Sequence, residues 1–181
     1  ARSMECDDKS QATLRRAETV RSEVRTSALQ RWLTSDDTKA QAWELFDGLL
    51  ERGRADFMQI SVMMAHGCRG SSEQRALLER AKLAGVQPNV SVYNALLGNL
   101  RFEGRDDEVD SVLAEMRARD IECNDKIQDT LQHSESELSK MRTSELQRWL
   151  KSDDTMPRAW ELFDGLLERG RANDMHLSMM M

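Results

Sequence analysis

A long internal duplication constrains this chain more than any other feature. Leu29–Met64 (LQRWLTSDDTKAQAWELFDGLLERGRADFMQISVMM) recurs as Leu146–Met181, and the same offset of 117 residues aligns ARSMECDDKSQATL at the start with ARDIECNDKIQDTL at Ala118–Leu131. Residues 1–64 thus match 118–181, with about 41 of the 64 positions identical. Such identity marks recent duplication, and fixed-period self-similarity marks an array in which each unit buries its apolar face on its neighbours. Ala1 falls where Ala118 does, late in a helix, and Met181 where Met64 does, inside another. Both ends read as cuts through a longer array, which expose apolar end faces through which chains can self-associate.

The repeating unit is a helical hairpin. In residues 90–124, Tyr93, Leu96, Leu97 and Leu100 share one helical face, and Val109, Val112, Leu113 and Met116 share a second. Gly104 breaks the chain between them, and Asp106 or Asp107 is placed to cap the second helix and to suit its positive end. Residues 55–89 have the same layout, with Phe57, Ile60 and Met64 on the first helix and Leu77, Leu78 and Ala81 on the second. Gly85 followed by Pro88 is a stop signal. The duplicated block supplies hairpins over 22–54 and 139–171, turning at Ser35-Asp36-Asp37-Thr38 and its copy. Residues 125–138, equivalent to 8–21, stand off the period, and Ile127, Leu131, Leu138 and Met141 predict an added helix or a lengthened first helix. The predicted fold is all-α: one continuous α-solenoid of antiparallel helix-hairpin repeats in a right-handed superhelix.

Composition agrees with helix: 32% of residues are charged, and only 2 prolines and 9 glycines punctuate the chain. The net charge of −6 argues against a strong, sequence-independent grip on phosphates. No apolar run is long enough to span a membrane, and residues 1–9 lack an apolar signal core. Cys6, Cys68 and Cys123 form no metal-ligand spacing and read as reduced thiols of an intracellular protein.

Tyr93-Asn94 followed by Leu96-Leu97, Gly104-Arg105, Glu115-Met116 and the boundary Gly85-Val86-Gln87-Pro88-Asn89 resemble the pentatricopeptide repeat family. The resemblance is specific over 90–124 and fair over 55–89, while the tryptophan hairpins also resemble tetratricopeptide units. It implies a single-stranded RNA ligand in a mitochondrion or plastid, with about one base addressed per repeat. Carried onto this chain, the base-reading pair of the best repeat is Asn94 and Asn124 with Ser91 beside the base, an amide pair suited to a pyrimidine. Family members usually carry a branched apolar residue where Ser91 stands. The preceding repeat would use Gln59 and Asn89 with Asp56, and Arg25 and Arg31, with copies Arg142 and Arg148, are placed to touch phosphates.

Other constellations read as structure. His66, His133 and His176 stand apart from Cys or paired carboxylates, and His176 replaces Gln59 of the other copy, so nothing there requires imidazole. The Asp-Asp pairs at 36–37, 106–107 and 153–154 each precede a second helix, where capping and the macrodipole account for them. Eleven methionines read as core filling, and Trp32, Trp43, Trp149 and Trp160 as staples within hairpins. No catalytic motif, metal site or cofactor loop is present, so the expected function is non-catalytic binding of RNA, with a protein-interaction scaffold as the alternative.

Overall fold

The structure, a computed structural model, describes the backbone of residues 2–181 and the side chains of 11–13 and 15–181. Among these residues it is all-helical, with ten α-helices and no strand. Two compact units are present: one holds the residues up to Cys68 with Ala76–Pro88, the other Arg69–Arg75 with Asn89–Met181.

The first unit contains the first copy of the duplication. Its first helix, α1 (Arg2–Leu33), packs against α2 (Asp36–Glu51) and α3 (Phe57–Val62), and α3 runs on into a π-helical turn over Met63–Gly67. No glycine or proline occurs before Gly48, so nothing local breaks α1. What ends it is Thr38, whose hydroxyl donates to the Trp32 carbonyl at 2.7 Å, one of the carbonyls that a helix end leaves without an internal partner. Leu29, Phe46, Ile60 and Met63 are fully buried, whereas the described side chains of 11–21 are exposed. Part of α4 (Ser71–Leu83) completes the unit, with Leu77, Leu78 and Ala81 buried and Arg80 paired to Asp47 at 2.6 Å.

In the second unit α5 (Val90–Phe102) packs against α6 (Asp106–Ala118), α7 (Asp125–Gln132) and α8 (Glu135–Trp149). Helix α8 also packs against α9 (Met156–Glu168) and α10 (Asp174–Met180). Thr155 repeats the role of Thr38, donating to the Trp149 carbonyl at 2.7 Å. Of the predicted faces on α5 and α6, Tyr93, Leu96, Leu97, Leu100, Val109, Val112 and Met116 are buried, and Leu113 is half-buried.

Both outcomes expected for the off-period segment occur, one in each copy. Residues 8–21 lengthen α1, and 125–138 form the separate helix α7 and the start of α8. Two local expectations need correction. The Asp pairs do not cap: Asp36-Asp37 and Asp106-Asp107 lie inside the first turns of α2 and α6, Asp153-Asp154 lie in the turn before α9, and none of these helices has a side-chain cap bond. In α2 and α6 the macrodipole explanation still applies, since it needs charge near the first turn and no hydrogen bond. Phe57, expected in the core, is exposed in the first turn of α3. The stop after α6 is left-handed Asp120 (φ 56°), which takes the place that Gly104 (φ 72°) takes after α5.

Candidate functional site

The residues nominated to read or touch RNA are mostly occupied within the fold. Gln59 is fully buried: its carbonyl accepts from the Asp56 backbone at 2.8 Å, and its amide donates to Ser22 Oγ at 2.8 Å and Thr26 Oγ1 at 2.9 Å. Asp56 completes a reciprocal capping box at the start of α3. Asn89 caps α5, accepting from Ser91 and Val92, and Asn124 caps α7, accepting from Ile127 at 3.0 Å. Asn94 is half-buried and accepts from Thr130 Oγ1 on α7 at 3.4 Å, while Ser91 is exposed. Arg25 reaches the Arg54 carbonyl at 3.5 Å.

Arg142, expected at a phosphate, is wholly buried. Its guanidinium closes the C-terminal end of α5, donating to the Phe102 carbonyl at 2.6 Å and the Arg101 carbonyl at 3.0 Å, and pairs with Glu135. Arg171 joins Glu135 (3.3 Å) to Asp106 (2.9 Å), and Asp106 pairs with Arg101. This alternating chain of charges ties the end of α5 to α6 and α8, and a phosphate cannot reach Arg142 within it.

A cleft of about 720 Å³ opens inside the second unit, floored by Phe102, Trp149 and Leu162. Five arginines (69, 105, 148, 158 and 169) line it against six acids, Glu73, Glu103, Glu145, Glu161, Asp164 and Glu168. Most of those cations are engaged. Arg158 lies over the Trp149 ring at 4.4 Å, and burial, partly offset by Glu145, lowers its pKa. Arg148 pairs with Glu145 at 2.6 Å, Arg169 donates to the Gly165 carbonyl at 2.7 Å, and Arg105 is bound to Glu103, Glu108 and two serines. A cleft with a slight acid excess and paired arginines is not a phosphate track.

Exposed apolar side chains include Trp160 and Leu167 on α9 and Met175 and Leu177 on α10. Trp160 makes an edge contact with Phe163 in the same helix, as Trp43 does with Phe46 in the first copy, so neither contact joins the two helices of a hairpin. In the first copy the matching Trp43 and Met58 are half-buried, and Leu50 and Ile60 are buried. The capping boxes were legible in principle, since Asp56-x-x-Gln59 has the required spacing.

Among the described residues no group of His, Cys, Asp or Glu could hold a metal ion, and no helix is long and apolar enough to cross a membrane. Cys68 is buried and Cys123 exposed, neither in a disulfide, and Cys6 lies outside the described side chains. No protein family and no curated protein matches the chain.

Proposed function

We propose that this chain is a non-catalytic protein-interaction module built from α-solenoid hairpins of the pentatricopeptide type, acting as a scaffold in an organellar assembly. The observation that carries this reading is that Trp160 and Leu167, seven residues apart on α9, are exposed in a chain of net charge −6. Residues suited to RNA support it from the other side: Gln59 and Arg142 are buried, and Asn89 and Asn124 serve as helix caps. The solenoid reading is supported within each unit by hairpin contacts (α1 with α2, α5 with α6, α8 with α9) and by first-helix neighbours (α1 with α3, α5 with α8, α8 with α10). The right-handed superhelix remains part of this proposal.

A second reading, single-stranded RNA binding, is favoured by one observation. Ser91 and Asn124 are exposed near a half-exposed Asn94, and the Asn124 cap uses only its carbonyl oxygen, leaving an amide able to donate to a base. Fluorescence anisotropy of the whole chain against pools of single-stranded RNA at two salt concentrations separates the two. The scaffold reading expects no saturation at micromolar protein; salt-sensitive binding lost in Asn94→Ala establishes the RNA reading instead.

A further inference from the structure

One residue of the second copy does with an imidazole what its counterpart does with an amide. In the first copy Gln59 bridges two helices: its carbonyl accepts from the Asp56 backbone at 2.8 Å, and its amide donates to the Ser22 carbonyl of α1 at 3.2 Å. His176 stands at the matching place and is likewise fully buried. Its Nδ1 accepts from the Asn173 backbone at 3.2 Å, which closes the capping box of α10. The ring also faces the Ser139 backbone of α8, the counterpart of Ser22. Asn173 adds a bond from Nδ2 to Ser139 Oγ at 2.7 Å. Beyond this start, Met179 and Met180 pack against the core that includes Leu146, Phe163 and Leu166.

We propose that His176 is a proton-operated latch: protonation of its ring opens the start of α10 and releases that helix from α8. An amide such as that of Gln59 offers both an acceptor and donors at any ordinary pH, whereas an imidazole offers an acceptor only while it is neutral. With Nδ1 accepting from Asn173, the one proton of the neutral ring belongs on Nε2. The second proton can go only to Nδ1, where it would point at the Asn173 N–H; that bond is lost, and the reciprocal box with it. The charges facing the ring come from α8. Arg142, wholly buried, opposes a second cation, while Glu135 favours one but is already shared by Arg142 and Arg171. On α10 itself the other charged group is Asp174, which is exposed. Burial acts in the same direction as Arg142, so the neutral, closed form holds at neutral pH and the latch opens as pH falls below the ordinary histidine value of about 6.5. Opening uncovers apolar surface beneath Met179 and Met180 whatever ligand the chain binds, so the latch is additional to the function proposed above.

The test uses the full chain with methyl-labelled methionine, followed by NMR between pH 7 and 5, the Met179 and Met180 signals being assigned by Met179→Leu and Met180→Leu. Both signals are expected to shift with one midpoint, below about 6.5 and shared with the His176 ring. Met63 and Met64, buried in the first copy, are expected to stay. Amide exchange over α10, corrected for its intrinsic pH dependence, is expected to quicken at least about tenfold across this range, and that over α3 is not. His176→Gln installs the residue of the first copy and is expected to abolish both the shift and the quickening. Titration of His176 without movement of Met179 and Met180 overturns the proposal. The same movement in His176→Gln also overturns it, because the proton then acts on carboxylates. Movement of Met63 and Met64 with the same midpoint does so too, because the event is then global unfolding. If His176→Gln does not fold, the titration of the unaltered chain still decides through Met179 and Met180 against Met63 and Met64.

Discussion

The two copies share about two-thirds of their residues, yet they begin differently. The first enters its hairpin on one helix of 32 residues; the second enters on α7, of 8 residues, a two-residue break, and α8, of 15. The break is at His133-Ser134, and Ser134 with Glu137 forms a reciprocal capping box that starts α8. Hydrogen bonds from the Ser134 backbone and hydroxyl hold the Glu137 carboxyl below its usual pKa. The first copy has Arg16, Ala17 and Val20 at these places, which cannot build the box and which helices accept. A further difference acts through packing: Ile127 of α7 is fully buried, where the first copy has Ser10. The comparison teaches that a few substitutions turn one helix into two when a neighbour such as α5 stands ready to receive the shorter piece.

The comparison is broken most severely at the arginine pair. Arg142→Ala should cost about 3 kcal/mol, because it strips the Phe102 and Arg101 carbonyls of a charged donor, while Arg25→Ala, at a long contact, should cost under about 0.5 kcal/mol. Urea unfolding measures both, and equal costs would mean the copies use this arginine alike.

Next comes the exchange of Gln59 for His176. Both close a capping box, His176 through Nδ1, which accepts from the Asn173 backbone at 3.2 Å. Gln59→His should cost about 2 kcal/mol, since an imidazole cannot serve both the backbone and the Ser22 and Thr26 hydroxyls. Burial lowers the pKa of His176, against a hydrogen bond at Ser139, with Arg142 lowering it and Glu135 raising it further. Its neutral ring therefore contributes stability that is complete above the unfolded value of about 6.5 and is lost as pH falls through the lower folded value. Thermal melts between pH 7 and 5 should show this loss, and His176→Gln should remove it; an unchanged pH profile in that variant would assign the dependence elsewhere.

Smaller effects sharpen the contrast. Ser134→Ala should cost about 1 kcal/mol, localised by hydrogen exchange to the first turn of α8. Asp120→Gly should stabilise the second unit by about 0.5 kcal/mol, because it relieves a left-handed backbone that glycine adopts freely. A destabilised Asp120→Gly would show that the aspartate earns its place by a contact not captured in the turn geometry.

Much of the fold was legible because helical periodicity and stop signals are local. Tyr93, Leu96, Leu97 and Leu100 lie in the core as their spacing predicts, and Gly53, Gly85, Gly104 and Gly170 each take the left-handed conformation that ends a helix. The candidate site was far less legible. Arg142 and Gln59 have polar side chains that a sequence places on a surface, and only their partners on other helices draw them inside.

The sequence by itself determined the all-helical class, the placing of the hairpins and the equivalence of residues 1–64 with 118–181, since these follow from side-chain period and local backbone preference. Tertiary structure decided which of the paired arginines, Arg25 and Arg142, is wholly buried. Arg25 and Arg142 sit in the same local sequence, Arg-Thr-Ser, and their burial differs because burial depends on what packs against a residue: the Phe102 and Arg101 carbonyls of α5 meet Arg142, whereas Arg25 reaches the Arg54 carbonyl at 3.5 Å.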